Sequence, residues 1–296
     1  MKKFIISIKI LSLIVISSLC IKFYQLYTDG FRIDKINFVS FYNNKIQNED
    51  QSNEIDEIIS QRFKYLSKGC QTYVFISEDE NYVLKFIRFH RYKVPFWLDN
   101  LHSKYFLDNY YNKIKKHKEK LFLQSINSYK IAFDYLKDET KILYIHLNQT
   151  NNLNKKVTLL DKFNQKYKIN LDDYGFILQK KADSLSKHLQ NNKNNKTILQ
   201  KTTLSFINLT DSIYKKGFIN SDYNCIKNAG IIENTVIFTD LGSFKKIENL
   251  NNKFIYEREF NKFIKYYKRW TNKYSPDLTV FLDEKIYEKS KKSNLK

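Results

Sequence analysis

Two prolines and six glycines in 296 residues leave this chain few places to break or turn sharply. That scarcity excludes collagen-like and proline-rich low-complexity classes. The three cysteines, Cys20, Cys70 and Cys225, stand far apart with no C-x-x-C pair. A disulfide framework and a Cys/His zinc site are therefore not expected. His90, His102, His117, His146 and His188 are scattered, and none accompanies a motif serine or cysteine, so triad chemistry has no support. Acidic residues are also short, 31 Asp plus Glu against 51 Lys plus Arg, for a net charge of +20. Such a field favours anionic partners such as nucleotide or acidic lipid. Enrichment in Lys, Asn, Ile, Phe and Tyr follows AT-rich codon usage, so no specific nucleic acid is expected. What is present is ample: 42% hydrophobic and 28% charged residues are enough for a packed core. The length suits one medium domain of two lobes.

The one long apolar run is at the N-terminus, "MKKFIISIKILSLIVISSLCIKFY". Twelve uncharged residues separate Lys9 from Lys22, and Phe4 to Tyr24 gives 21 residues if Lys9 snorkels. "SSLC" has Leu19 where a lipoprotein box wants a small residue, and no small-x-small cleavage site follows. The pattern predicts a single uncleaved span over residues 1–28, with a removed signal peptide as the competing reading. Lys22, Arg32 and Lys35 balance Lys2 and Lys3, so charge leaves the orientation unset.

Residues 29–60 are polar and lack apolar periodicity, which predicts a linker ending in a short helix. "FKYLSKGCQTYVFISEDENYVLKFI" holds β-rich runs parted by the turn composition "SEDEN". Residues 98–139 carry helical spacing. "KILYIHL", "KVTLLDKFNQKYKINL" and "YGFILQKKA" predict further strands. "TILQKTTLSFINLTDSIYKKG" predicts a helix stopped at Gly217, and "TVIFTD" a strand ending at Asp240. Two helices close the sequence, the second with Ser275 as N-cap and Pro276 in its first turn. The order of strands, helix, strands and then mostly helix is that of an α+β protein with a β-rich N-terminal lobe.

Four stretches fall in one order. In "LSKGCQTYV", Ser67, Gly69 and Thr72 stand on the three glycine positions of G-x-G-x-x-G-x-V, and Val74 on its valine. "YVLK" puts Lys85 on the lysine of V-A-I-K. "GFINSD" puts Asp222 on the catalytic-loop aspartate, and "FTDLG" puts Asp240 on the aspartate of D-F-G. Over residues 63–244 the chain resembles the protein kinase-like superfamily, as a divergent member with a short C-lobe. The resemblance implies a two-lobed fold with an N-lobe at 61–183 and a reduced helical C-lobe at 184–296, behind a hydrophobic N-terminal helix. It implies ATP and Mg²⁺ as cofactors and a hydroxyl acceptor, and the short C-lobe somewhat favours a small molecule, sugar or lipid over a protein. Ser67, Gly69, Thr72, Val74 and Lys85 would then bind nucleotide, with Lys85 and Asp240 facing one cleft. Asp240 would hold the metal and Asp222 would act on the acceptor, as phosphoryl transfer asks for positioning and charge neutralisation. Glu119 is the candidate partner of Lys85.

The sequence departs from the kinase pattern in several places. Lys227 stands five residues after Asp222 where asparagine is usual, and Asn228 is one further on, so a local bulge is expected to present Asn228 to the metal. Asn220 and Ser221 replace His and Arg. No A-P-E element follows Gly242, and 54 residues remain beyond it. These departures keep a second reading open, a pseudokinase that binds or scaffolds without turnover. A third is a basic RNA- or lipid-binding surface protein. Residues 88–106 mix Arg88, Arg91, Lys93 and Lys104 with Phe89, Tyr92, Phe96, Trp97 and Tyr105. They are expected to pack as an insert on the N-lobe, with contact to an acidic membrane or a base as the alternative.

Overall fold

The computed structural model describes residues 2–38, 53–101 and 107–292. The chain is α+β and divides into two compact units. The first comprises residues up to Lys93 with His146–Phe176; the second comprises Val94–Ile145 and the chain from Ile177 onward. Lys104 and Tyr105 lie outside the described residues.

The first unit opens with helix α1 (Lys2–Tyr27), whose stretch Lys9–Tyr27 is long and apolar enough to cross a membrane. Apolar side chains along that stretch are exposed, as Leu11, Leu13, Leu19 and Leu26 show. Helix α2 (Asn53–Ser60) buries Ile55, Ile58 and Ile59 at helical spacing. Strands β1 (Arg62–Lys68), β2 (Thr72–Ser77) and β3 (Tyr82–Ile87) form an antiparallel meander. Strand β5 (Lys156–Leu160) lies parallel to β1, and β6 (Lys166–Asn170) pairs antiparallel with β5. The β1 pattern alternates exposed and buried up to Tyr65, as the pleat requires. A register shift between Tyr65 and Ser67 then turns the end of β1 over.

One face of this sheet carries an aromatic core. Phe31 lies against Tyr65, Tyr73, Phe75 and Tyr167, with ring centroids 5.2–6.0 Å apart and three of the four contacts edge-on. Burying a side chain of this size contributes roughly 1.5–3 kcal/mol. Phe89 and Tyr92 are buried in the same unit.

The second unit begins with α3 (Phe96–Leu101), where Phe96 and Trp97 are exposed. Helix α4 (Asp108–Tyr135) buries Phe122, Ser125, Ile126, Tyr129, Ala132 and Phe133 on one stripe, while its lysine-rich first half stays largely exposed. A short α5 (Lys137–Thr140) leads to β4 (Ile142–His146), which neighbours β7 (Phe176–Lys180). Strand β8 (Asp183–Ser184), helix α6 (Leu185–Asn191) and helix α7 (Lys196–Lys215) follow. Asn195 caps α7, its side chain accepting from the Ile198 N–H at 3.1 Å. Gly217 ends the helix at φ +83°, a conformation that favours glycine.

Strand β9 (Phe218–Asn220), the single turn α8 (Cys225–Asn228), and strands β10 (Ala229–Ile232), β11 (Thr235–Phe238) and β12 (Phe244–Lys246) complete the small sheets. Strand β10 lies between β8 and β11, and β9 pairs with β12. A Cβ on Gly230 would sit 2.7 Å from the Ala182 Cβ, so only glycine fits where β10 meets β8. Helices α9 (Lys253–Tyr274) and α10 (Pro276–Lys292) close the unit, with Pro276 as the first residue of its helix.

Candidate functional site

In the first unit the site begins at the β1–β2 turn. The Gly69 N–H donates to the Thr72 carbonyl at 2.9 Å, which closes a tight connection. The Arg88 guanidinium donates to the carbonyls of Gly69 (2.8 Å) and Cys70 (3.0 Å), and Arg91 donates to Cys70 O at 2.6 Å. In a trans peptide the carbonyl and the following N–H point in opposite directions. Pinning these two carbonyls therefore turns the Cys70 and Gln71 N–H groups away from the guanidinium groups. A Cβ on Gly69 would meet only Thr72 atoms, at 3.5 Å or more, which is ordinary contact. The fold itself does not demand glycine here; a ligand approaching the backbone closely would.

The register aligns three candidate residues. Ser67 pairs with Val74 and Val74 with Lys85, so the three side chains share one sheet face. Tyr65, Tyr73, Phe75 and Phe86 belong to the opposite, aromatic face. The bulge between Tyr65 and Ser67 is what brings Ser67 to the side of Val74 and Lys85.

The second unit holds the carboxylates. Asp222 is exposed in the turn after β9. Its N–H donates to Asn220 Oδ1 at 3.0 Å, and its own Oδ1 accepts from the Asn224 N–H at 2.9 Å. Asp240 follows β11 and accepts from the Gly242 N–H at 3.1 Å, an Asx turn that fixes the Asp-Leu-Gly corner. Two sets of bonds join these turns. Ser221 donates through N–H and Oγ to the Ser243 carbonyl (2.8 and 2.9 Å), next to the pairing of Asn220 with Phe244. The Asn228 carbonyl accepts the N–H groups of Thr239 (2.9 Å) and Asp240 (3.1 Å).

The α8 turn decides which neighbour faces inward. Lys227 is exposed, whereas Asn228 is buried and its Nδ2 has no hydrogen-bond partner. A polar atom buried to that degree ordinarily has one. An N–H donor cannot ligate a cation, so the groups of the kind magnesium takes beside phosphate and water oxygens are the Asp240 carboxylate and the Asn228 amide oxygen, not its unpartnered nitrogen. Among the described residues no group of three or more His, Cys, Asp and Glu side chains converges. Cys225 is fully buried, and burial pushes its thiol up to about 12, which removes it as a thiolate nucleophile.

Glu119 belongs to α4 of the second unit and is partly exposed; Lys85 belongs to the first. Sequence reasoning missed Ser128. Buried on α4, its hydroxyl donates to the Leu241 carbonyl and accepts the Phe244 N–H (2.6 Å), holding both sides of the Asp-Leu-Gly corner. Its signal was a serine on the apolar stripe of an amphipathic helix. Arg88 was legible as a cation but not as a clamp on backbone carbonyls.

No protein-family model matches the chain, and no curated protein matches it. Solved structures do. A high-resolution crystal structure of WbdD aligns at TM-score 0.39 and 13% identity over 68% of this chain and 36% of that one. A second structure, of WbdD as a bifunctional kinase-methyltransferase, aligns at 0.34 and 14% over 66% and 34%. The Legionella pneumophila LegK7 effector kinase aligns at 0.29 and 15% over 66% and 35%. The chain is similar to two proteins described as kinases. It spans little more than a third of the length of each, and at these values the likeness carries nothing about the site, which stands on this chain's own residues.

Proposed function

We propose that this chain is a membrane-anchored, atypical kinase-like protein that transfers the γ-phosphate of ATP to a hydroxyl acceptor. The observation that carries the reading is the stitching of the Asp222 turn to the Asp240-Leu241-Gly242 corner through Ser221, Ser243 and Asn228. Two carboxylates 18 residues apart in sequence are thereby fixed on adjoining turns of one unit.

ATP, if bound, would supply the phosphoryl group and leave as ADP, with Mg²⁺ screening the phosphate charge. On this reading backbone N–H groups of the Gly69 turn would receive phosphate oxygens and Lys85 would neutralise them as a point charge. Asp240 and the Asn228 amide oxygen would hold the metal. Asp222, exposed, would orient the acceptor hydroxyl and take its proton. The described first unit includes α1, whose apolar length supports the anchor. The domain reading that accompanies this is an anchor at 1–28, a linker at 29–60, an N-lobe at 61–183 and a C-lobe at 184–296. With no proline between Gly242 and Pro276 there is no A-P-E segment there, which supports the pseudokinase alternative; for an active enzyme a small-molecule, sugar or lipid acceptor is somewhat favoured over a protein.

The test is a thermal shift of the full chain in detergent with ATP, with and without Mg²⁺, beside an assay of phosphate release. A ligand that binds the native state raises its apparent stability. Mg²⁺-dependent stabilisation with phosphate release supports the reading. Stabilisation without turnover selects a nucleotide-binding pseudokinase, and no response to ATP overturns the kinase reading.

A further inference from the structure

We propose that the β5–β6 hairpin is a docking surface for an anionic bilayer, with Phe163 at its tip seated in the headgroup layer beside the end of α1. The inference rests on the reading of α1 as a membrane span. Lys9–Tyr27 is 19 residues, which as a helix measures about 28 Å, close to the hydrocarbon thickness of about 30 Å. Tyr24 and Tyr27 then fall at the boundary, where tyrosine is favoured. Phe163 touches both rings, at centroid distances of 5.8 and 4.8 Å. A side chain in contact with that end of a spanning helix is at the boundary too.

The hairpin cannot drift from this position, because the chain leaving α1 is fastened to the sheet. Thr28 is buried and continues the helix, its N–H and Oγ1 both donating to the Tyr24 carbonyl (2.9 and 2.7 Å). The Asp29 carboxylate accepts from the Tyr65 hydroxyl (3.1 Å) and pairs with Lys162 at 2.8 Å. The Gly30 carbonyl accepts from the Tyr73 hydroxyl (3.0 Å) and Lys35 Nζ (2.6 Å). Phe31 then enters the aromatic core.

The tip itself is built to present its ring. Asp161 Oδ1 accepts the N–H groups of Phe163 (2.8 Å) and Gln165 (2.9 Å), and Asn164 takes φ +59°. Despite this order Phe163 stays 53% exposed. An apolar ring held outward by a rigid turn, next to the end of an apolar helix, is what a lipid interface covers. The charge agrees. From Lys156 to Asn170 there are four lysines and one aspartate, and that aspartate, Asp161, is buried in the turn. Lys166 and Lys168, on the strand rising from the tip, are exposed. Anionic lipid attracts basic residues within about a Debye length of its surface.

The test places a single tryptophan by Phe163→Trp in a Trp97→Phe, Trp270→Phe background of the full chain. The protein is reconstituted in nanodiscs of phosphatidylcholine brominated on the upper acyl chain, with and without phosphatidylserine. Ile14→Trp in the same background reports on α1. The expected result is loss of most emission at both positions, with quenching at position 163 stronger when phosphatidylserine is present. Adding Lys166→Glu and Lys168→Glu is expected to remove that lipid dependence. If position 14 is quenched while position 163 keeps its emission and stays open to aqueous iodide, the docking surface is overturned and the span stands. If neither is quenched, the span reading falls and this inference falls with it. Quenching at 163 that is indifferent to phosphatidylserine and to the two lysines overturns the anionic-lipid assignment.

Discussion

The Asp240 N–H donates to the Asn228 carbonyl at 3.1 Å, and the Thr239 N–H donates to the same oxygen at 2.9 Å. The two proposed metal-binding residues thus share a backbone junction, and a change at one is felt at the other. Asn228→Ala removes a buried amide whose oxygen is the proposed metal ligand. It is expected to weaken Mg²⁺-dependent nucleotide binding about tenfold, which is about 1.4 kcal/mol. Lys227→Ala, at an exposed position, is expected to leave affinity unchanged. Calorimetric titration of both variants decides between them, and the opposite ranking assigns the metal to the wrong neighbour.

Ser128→Ala strips the Leu241 carbonyl and the Phe244 N–H of one shared partner in a buried place. Leaving buried backbone groups unsatisfied costs about 1–3 kcal/mol. For a chain of this size each kcal/mol lowers Tm by roughly 2–4 °C. A melting curve of the variant should show that drop, and hydrogen exchange should show faster amides around Phe244. An unchanged Tm would mean the hydroxyl is not what holds the corner.

Periodic segments were legible in the sequence, because alternation and helical spacing are local. The β2–β3 hairpin, the stop at Gly217 and the start at Pro276 are of this kind. Phe31 and Ile36 were not. Both stand in a stretch read as a polar linker, and the burial of Phe31 depends on aromatic rings supplied by strands 34 or more residues further along, beginning with Tyr65. The same limit applied at the site. Motif order offered Asp222 and Asp240 as candidates, and strand position offered Lys85. Ser128 and Arg88 act on backbone carbonyls distant in sequence, and no local pattern encodes a side chain's partner there.

Asp211 ties three helices together. Its carboxylate accepts from Tyr256 on α9 (2.7 Å) and pairs with Lys289 on α10 (2.6 Å) and Lys215 on α7 (3.0 Å). Burial pushes the carboxyl up, but the bonds from Lys289, Tyr256 and Lys215 outweigh it and hold the group below its usual range. A depressed acid contributes stability that is present above its unfolded value, about 3.9, and lost as pH falls through the folded value. Acid should therefore loosen the C-terminal helices. Asp211→Asn should lower stability at neutral pH by about 1–3 kcal/mol, discounted because both lysines are partly exposed. It should also flatten the fall in Tm below pH 4. Parallel acid titrations of Tm that superimpose for both proteins would show that this carboxylate carries no such role.

The two turn carboxylates are expected to do different work. Asp240 sits at the Asp-Leu-Gly corner with one oxygen on the Gly242 N–H, held from behind by Asn228 and, through Leu241, by Ser128. On the proposed reading a carboxylate so positioned would meet the metal in the ground state. Asp240→Ala leaves phosphate charge uncompensated where the effective dielectric is below that of water, so Mg²⁺-dependent binding should be abolished. Asp222 is exposed and its turn is closed by Asn220 and Asn224. On the proposed reading it would act on the acceptor hydroxyl, and its contribution would fall in the transition state. Asp222→Ala should therefore keep nucleotide affinity nearly intact while turnover stops. Calorimetry with ATP and Mg²⁺ on both variants, beside phosphate release, separates the two roles. In a pseudokinase only the binding half can be seen, because there is no turnover to lose. Strong and equal nucleotide affinity in the unaltered chain and in Asp240→Ala would show that this aspartate holds no metal.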